Sequence, residues 1–410
     1  MDLKKPTLII ATGIPGTGKS TVLKEFCRRN PSTFYLEKDQ LNQAFLVVRP
    51  TSQGQIPSIE QTLEEYEKSG KVKPYIFFNG EEMKEVSYLS EFYGRHVRDQ
   101  TYIGFKKIAE QNLELGKSPV IDCFVSRQAK DHTLAGFMAQ LNNHPIALAH
   151  FTVNENILRQ RLEERASNDP YAAERDKGKL LNDESWNKFL DEQPVIWPEM
   201  RFYNHAVIDT STSLEESLGN LEAFVEKRSS MRDELIYRVN EEGKILGPIH
   251  YSVAHPKDKT QQGERHRTAT AFIFDNDDPS SQKLLIQKRA GVAKSGVWDS
   301  SIGGHNKYGQ TTLETIKREA SEELFNNQPL PEGFEFKEVA GFPKETRPND
   351  REYVILYEGR YPGPFNPGPE VSEVKFVKLD ELRRDMAANP DAYTNSIKFN
   401  IRKYEEANKI

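Results

Sequence analysis

The sequence of 410 residues predicts two domains: an α/β domain on a doubly wound parallel sheet over residues 1–230, and an α+β domain over 231–410. In the second, a mixed sheet is sandwiched by helices. Three observations predict this. Short apolar runs alternate with amphipathic segments in the first half, the pattern of a parallel sheet covered by helices on both faces. After "EKRSSMRDE" the strands become alternating and rich in turns, around one strong helix. The length itself suits two or three domains rather than one.

The runs of the first half are "TLIIATG" (7–13), "TFYLEKD" (33–39), "SPVIDCF" (118–124), "IALAHFTV" (146–153) and "HAVIDTS" (205–211). Segments such as "STVLKEFCRR" and "TYIGFKKIAEQNLELG" supply the helices between them, and a helix near 214–227 closes the domain. The second half offers "IYRVNEEGKILG", "TATAFIFDNDD", "QKLLIQKRAG", "EYVILYEGRYPG" and "VKFVKL" as strands, with a helix at about 312–325. The polar stretch near 230 has no periodic pattern and marks the boundary.

Composition narrows the function. Apolar residues make up 36% and charged residues 29%, as in a water-soluble globular protein, and no apolar run reaches the ~20 residues of a membrane span. The apolar run at the N-terminus is too short for a signal peptide. The two cysteines, Cys27 and Cys123, are far apart. That excludes a cysteine zinc site and fits a reducing, cytoplasmic setting. A formal net charge of −6 disfavours nucleic acid or an anionic membrane as the general partner. No protein partner is implied.

"GIPGTGKST" fits the phosphate loop G-x-x-x-x-G-K-[ST], with Gly13, Gly16 and Gly18 ahead of Lys19, Ser20 and Thr21. It follows a β run and opens a helix, the context the motif needs. Glycines let backbone N–H groups converge on phosphate oxygens, and the helix N-terminus adds its dipole. Lys19 then reaches the β- and γ-phosphates of ATP, Ser20 ligates Mg²⁺, and Thr21 touches the α-phosphate.

With "LEKDQL" after the second run, this half resembles the small AAA-type P-loop kinases that act on hydroxyls, among them gluconate-type, polynucleotide and zeta-toxin-like kinases. The resemblance implies an α/β P-loop NTPase fold and gives Asp39 the role of base or orienter for the acceptor hydroxyl. A helix N-cap is the other role open to it. Asp122, ending the third run, resembles a Walker-B carboxylate that supports Mg²⁺. "RQRLEERASNDPYAAERDKGK" resembles a kinase lid, whose Arg161 and Arg165 share a helix face and, with Arg175 and Lys179, would stabilise the transferred phosphoryl group. The same charges also suit a solvated helix. Arg95, His96, Arg98 and Asp99 fall where such kinases meet the acceptor, and a charge run on a helix surface is the other reading open to them.

In "GGHNKYGQTTLETIKREASEELF", Glu319, Glu322 and Glu323 stand at i, i+3 and i+4 of a helix. Like charges so placed repel, and a divalent cation relieves them; oxygen ligands suit Mg²⁺ or Mn²⁺. Spacing alone also suits a solvated acidic face. The stretch resembles the Nudix box, G-x₅-E-x₇-R-E-U-x-E-E-x-G-U, with Gly304 first and Arg318, Glu319, Ala320, Glu322 and Glu323 at its centre. The resemblance spans about 237–404 and is strongest to the branch holding isopentenyl-diphosphate isomerases and related hydrolases. It implies an α+β Nudix fold, Glu319, Glu322 and Glu323 as metal ligands, and Arg318 as their orienter. Gln310, Phe325 and Asn326 depart from the box, which bears on the strength of the site. Phe325 stands where a glycine would supply a positive φ at the helix exit. The isomerases carry a catalytic cysteine where this chain has Gly303, which turns the expectation toward hydrolysis. His266, His305 and Glu352 fall near metal-ligand positions of the isomerase branch, and Glu323, Glu352 and Glu373 are candidate bases.

The leading expectation is a bifunctional cytosolic enzyme. One half phosphorylates a hydroxyl of a small molecule or nucleotide with ATP. The other hydrolyses a nucleoside-diphosphate-linked substrate with Mg²⁺. A 5′-end kinase acting on nucleic acid and a nucleotide sensor with an inactive Nudix domain are the alternatives.

Overall fold

The computed structural model describes residues 3–39, 41–42, 47–48, 74–76, 82–85, 97–124, 126–168, 176, 178–275, 282–290 and 296–409. The chain divides into two compact units, Met1–Asp233 and Glu234–Ile410.

In the first unit β1 (Leu8–Thr12), β2 (Thr33–Glu37), β6 (Ser118–Phe124), β7 (Ile146–Thr152) and β8 (His205–Asp209) form a parallel sheet in the order β2-β6-β1-β7-β8. Three short segments, β3 (Val47–Val48), β4 (Pro74–Ile76) and β5 (Glu82–Glu85), form a separate antiparallel sheet. The three central strands of the parallel sheet are buried along their whole length. That is why they read as continuous apolar runs rather than alternating ones. On one face Ile9, Ala11, Val120 and Phe151 pack against α1 (Lys19–Arg29) and α7 (Leu214–Arg228) through Phe26, Leu221 and Val225. Between these helices come α2 (Arg98–Glu114), α3 (Ser126–Lys130), α4 (Thr133–Gln140), α5 (Glu155–Asn168) and α6 (Asp183–Glu192). Of these, α2 fills the helical segment "TYIGFKKIAEQNLELG", whereas α3, α4 and α6 form where no element was named.

Parallel strands aligned this way open their carboxyl ends on one edge, and the strands on either side of β1 are reached by chain running in opposite directions. Ligands of such sheets bind in that crevice. The loop after β1 opens there.

The second unit contains β9 (Leu235–Val239), β10 (Ile245–His250), the single turn α8 (Tyr251–Ala254), β11 (His266–Phe274), β12 (Lys283–Arg289), β13 (Trp298–Asp299), β14 (Ile302–His305), α9 (Thr312–Leu324), β15 (Phe336–Arg347), β16 (Asp350–Arg360), β17 (Val371–Lys378), α10 (Leu379–Ala388) and α11 (Asn395–Asn408). The strands form one mixed sheet centred on β11, which is parallel to β16 and antiparallel to β9, β12 and β14. Alternate residues of β11 serve opposite faces. Ala269, Ala271 and Ile273 pack with Ile316, Ala320 and Leu324 of α9. Phe272 and Phe274 pack with Ile397, Ile401 and Tyr404 of α11. The sheet is thus covered by helices on both sides, as expected, although α10 and α11 were not foreseen.

The register decides what meets at the end of β11. His266 pairs with Glu352 of β16, and Thr268 pairs with His305 of β14. Lys344 of β15 pairs with Glu352 from the other side.

Candidate active sites

The phosphate loop is shaped by three glycines with φ of 136° (Gly13), 92° (Gly16) and 76° (Gly18). A Cβ at Gly13 would fall 2.5 Å from the Phe151 carbonyl oxygen, so only glycine fits there. Gly18 is the N-cap of α1, and no side chain caps that helix, which leaves its first N–H groups open to a ligand. Lys19 donates from Nζ to the carbonyl oxygens of Gly13 (2.8 Å) and Ile14 (3.3 Å). Burial pushes its amine below the ordinary lysine value, against the pull of Asp122, whose carboxylate lies 4.0 Å away. Ser20 donates its hydroxyl to Asp122 Oδ2 at 2.7 Å, and the Tyr35 hydroxyl donates to the same oxygen at 3.3 Å.

These groups line a cavity of about 460 Å³ with Thr21, Asp39, Arg161 and Arg165. Asp39 sits at the exposed rim, in the turn of helix that follows β2. Arg161 donates to the Thr210 hydroxyl (2.9 Å) and carbonyl (2.8 Å), and that hydroxyl donates to the carbonyl of Thr17 at 2.7 Å. The guanidinium therefore braces the loop. Arg165 pairs with the buried Asp176, which also holds Lys179 at 2.7 Å. Sequence reasoning assigned neither Thr210 nor Asp176. Asp99 lies exposed in the first turn of α2. Arg95, His96, Arg175 and the Arg98 side chain lie outside the described residues.

In the second unit, α9 starts with a capping box: Glu314 N–H donates to Thr311 Oγ1, and Thr311 N–H donates to the Glu314 carboxylate. Asn306 holds the entering loop by donating to the carbonyls of Gln310 and Thr311 and to the Thr315 hydroxyl, while Arg267 donates to its Oδ1. Gln310, at the first glutamate position of the box, has its Oε1 buried with no hydrogen-bond partner among the described residues. The loop is thus fixed by other groups. The helix exit also differs from the expected one. Phe325 keeps φ at −130°, and the positive values fall on Asn326 (48°) and Asn327 (64°). Asparagine tolerates that region, so the turn is made one residue later. The Phe325 ring packs among Phe334, Tyr361 and Phe365.

Glu319 and Glu323 share one turn of α9 and point at the sheet. A Cβ at Gly304 would fall 1.9 Å from Glu319 Oε1, so the carboxylate occupies the space a side chain would fill. Glu323 accepts from Gln287 Nε2 at 3.0 Å. Burial pushes the Glu319 carboxyl up to about 7 and the Glu323 carboxyl well above the ordinary carboxylate value. Arg318 pairs with Glu319 at 2.8 Å and with the more exposed Glu322 at 2.9 Å. Two half-buried carboxylates one helical turn apart, the first over a glycine, offer all-oxygen donors that fit Mg²⁺ or Mn²⁺. Glu373 lies half-exposed on β17 and pairs with Lys288 at 3.7 Å.

Beside this helix a cavity of about 200 Å³ is lined by Gly303, Gly304, His305, Lys344, Glu352 and Arg289, among others. His255, His266 and His305 cluster at its end, as do His266, Asp350 and Glu352, with donor atoms inside 4.8 Å of one another in each group. His255 Nε2 lies 3.0 Å from His305 Nε2, and His266 Nε2 is buried with no hydrogen-bond partner among the described residues. Burial holds His266 and His305 down to about 3, keeping both imidazoles neutral and able to bind metal. The unpaired nitrogen and the mixed donors fit a divalent transition metal. His255 and Asp350 were missed in the sequence. The signal for Asp350 was its i, i+2 spacing from Glu352 on a strand; His255 stands in no motif.

Residues 8–191 match the AAA domain family, and residues 264–396 match the NUDIX domain family. The chain is 30% identical over 165 residues to isopentenyl-diphosphate Delta-isomerase 2 of Photorhabdus laumondii, across 40% of this chain and 87% of that protein. It is 31% identical over 155 residues to Nudix hydrolase 3 of Arabidopsis thaliana, across 34% of this chain and 19% of that protein. A gluconokinase from Sinorhizobium meliloti shares 14% identity over 55% of this chain and 94% of its own, with a TM-score of 0.30. No helix among the described residues is long and apolar enough to cross a membrane.

Proposed function

The chain belongs to the Nudix family, with a kinase-like AAA domain ahead of its Nudix domain, and on that premise we propose that it is a bifunctional phosphate-transferring enzyme of the cytoplasm. The observation that carries the reading is that Lys19, Ser20, Asp122 and Asp39 line one cavity, while the second unit sets Glu319 over Gly304 and holds Glu323 on Gln287.

In the first unit the open N–H groups of the loop and Lys19 bind the phosphates of ATP. Ser20 and Asp122 would hold Mg²⁺, which neutralises charge on the β- and γ-oxygens. Asp39 takes the proton of an acceptor hydroxyl as its oxygen bonds to the γ-phosphorus and the bond to the bridging oxygen breaks, releasing ADP. Arg161 keeps the loop in place through Thr210, and Arg165 lines the same cavity, where its charge would stabilise the transferred phosphoryl group. The acceptor is a small molecule or nucleotide bearing a hydroxyl.

In the second unit Glu319, Glu322 and Glu323 would hold Mg²⁺ or Mn²⁺, which draws charge from a diphosphate. Glu323 takes a proton from the attacking water as a new P–O bond forms and the bridging P–O bond breaks. Gly303 offers no thiol for the proton transfers of an isomerase, and both cysteines of the chain belong to the first unit. Hydrolysis of a nucleoside-diphosphate-linked substrate follows.

The test is a panel of hydroxylated metabolites and dinucleotides incubated with the full chain, Mg²⁺ and γ-labelled ATP. Label appearing in an acceptor and orthophosphate or nucleotide release from a diphosphate are the expected results. Label remaining in ATP across the panel would remove the kinase half, and intact diphosphates would remove the hydrolase half.

A further inference from the structure

Lys344, Glu352 and His266 form a row across three adjacent strands, because Lys344 pairs with Glu352 and Glu352 pairs with His266. Directly paired residues present their side chains to the same face. The Lys344 side chain is buried, with its Nζ on the Glu352 carboxylate and 2.8 Å from the Ser396 hydroxyl. Lys344, Glu352 and Ser396 line the cavity of about 200 Å³ that also contains Gly303, Gly304 and His305.

A buried carboxylate needs a counter-charge, and removing that charge without replacement is costly. Glu352 therefore has two suitors: the Lys344 cation and a divalent metal at the imidazoles. They do not share it on equal terms: Lys344 holds one of its two oxygens, Oε2, and a second cation brought to the same carboxylate is repelled by the ammonium, so each weakens the hold of the other. Only the metal would also bond His266 Nε2, because a lysine in the same row satisfies the carboxylate and leaves that nitrogen unpaired. Once off Glu352, the amine has the cavity beside it.

We propose that Lys344 is an internal counter-cation of the imidazole–carboxylate cluster, displaced from Glu352 by a divalent transition metal and thereby freed to bind a phosphate oxygen in the adjoining cavity. Metal loading and phosphate binding are then coupled through one side chain, and coupling of this kind is reciprocal. The proposal rests on the Nudix reading for the presence of phosphate in the cavity, but its test reads metal binding and not turnover.

The experiment titrates Co²⁺ into the full chain carrying Glu322→Gln and Glu323→Gln, so that the helix site is silenced. Visible absorption of imidazole-ligated Co²⁺ is followed at buffered free metal, with and without inorganic phosphate. Replacing Lys344 with Met is expected to tighten Co²⁺ binding by about tenfold or more, and Lys344→Arg to leave it weak. Phosphate is expected to tighten Co²⁺ binding when Lys344 is present and to have no effect in Lys344→Met. Lys344→Gln, which keeps length and polarity, serves if the Met variant does not fold. Equal Co²⁺ affinity with and without the lysine, an unchanged phosphate effect in its absence, or no imidazole-bound Co²⁺ in any variant would overturn the proposal. Absence of nucleotide hydrolysis in the wild-type chain would instead count against the hydrolase reading and leave these binding results standing.

Discussion

Gly304 lies directly beneath Glu319: a single added carbon at position 304 would sit 1.9 Å from the carboxylate oxygen Oε1. Two residues far apart in the box are thus fitted to each other, one by having no side chain. The prediction follows that Gly304→Ala pushes Glu319 out of its place. Diphosphate hydrolysis should fall by about a hundredfold or more, the scale for losing one preorganised charged group, while ATP-dependent phosphorylation stays at the wild-type level. Parallel assays of both activities in one preparation check this.

The same carboxylate predicts a pH dependence. The folded state raises Glu319 to about 7 through burial, and the unfolded chain returns it to the ordinary value of 4.5. Between those values the folded state holds the extra proton, so this group's contribution to stability declines as pH rises from about 4.5 through about 7. Glu323 is displaced in the same direction and adds to the decline. In chelator, the unfolding temperature of the second unit should drop across that window more steeply in wild type than in Glu319→Gln. Added Mg²⁺ should restore more stability at pH 8 than at pH 5, because metal binds the deprotonated form. Calorimetry at the two pH values measures both effects.

Phe325 carries a prediction about the altered box. Its ring is buried among Phe334, Tyr361 and Phe365, and the left-handed turn has moved to Asn326 and Asn327. Installing the family's glycine by Phe325→Gly should therefore leave hydrolysis no faster. It should destabilise the unit by about 3–5 kcal/mol, the scale for deleting a buried aromatic ring. Denaturant titration gives the second value and steady-state rates the first.

These cases separate what the sequence disclosed from what it hid. The phosphate loop and the helix of Glu319, Glu322 and Glu323 were legible because each is a local arrangement. A helix or a strand–loop–helix turn fixes the residues relative to one another within a few positions. The closing helix was legible for the same reason, with Leu218, Leu221 and Val225 on its buried side. His255, Lys344 and Asn306 were missed because the fold, and no local pattern, brings them to their partners: His255 and His305 are 50 residues apart, Lys344 and Ser396 are 52 apart, and Asn306 and Arg267 are 39 apart. The helix α11 was legible in principle: Ile397, Ile401 and Tyr404 recur at helical spacing. Phe325 marks a change that was legible locally, although not how the chain accommodates it. The box led to the expectation of a disturbed helix exit, but a pair of asparagines absorbs the change.

In the first unit, Ser20 and Tyr35 both donate to Asp122 Oδ2. Ser20→Ala should weaken Mg²⁺-dependent ATP binding, while Tyr35→Phe should leave ATP affinity without Mg²⁺ unchanged and raise the Mg²⁺ concentration needed for half-maximal phosphorylation. Calorimetric titration with ATP and a Mg²⁺ dependence of the rate distinguish the two variants.

We propose that two separate phosphate chemistries occupy one chain. Phosphorus NMR of a reaction containing ATP, Mg²⁺, an acceptor and a diphosphate substrate, run with wild type, Lys19→Ala and Glu323→Gln, tests it most directly. Lys19→Ala is expected to abolish only the phosphorylated product, and Glu323→Gln to abolish only diphosphate cleavage. Either substitution leaving both reactions intact, or one substitution removing both, would contradict it.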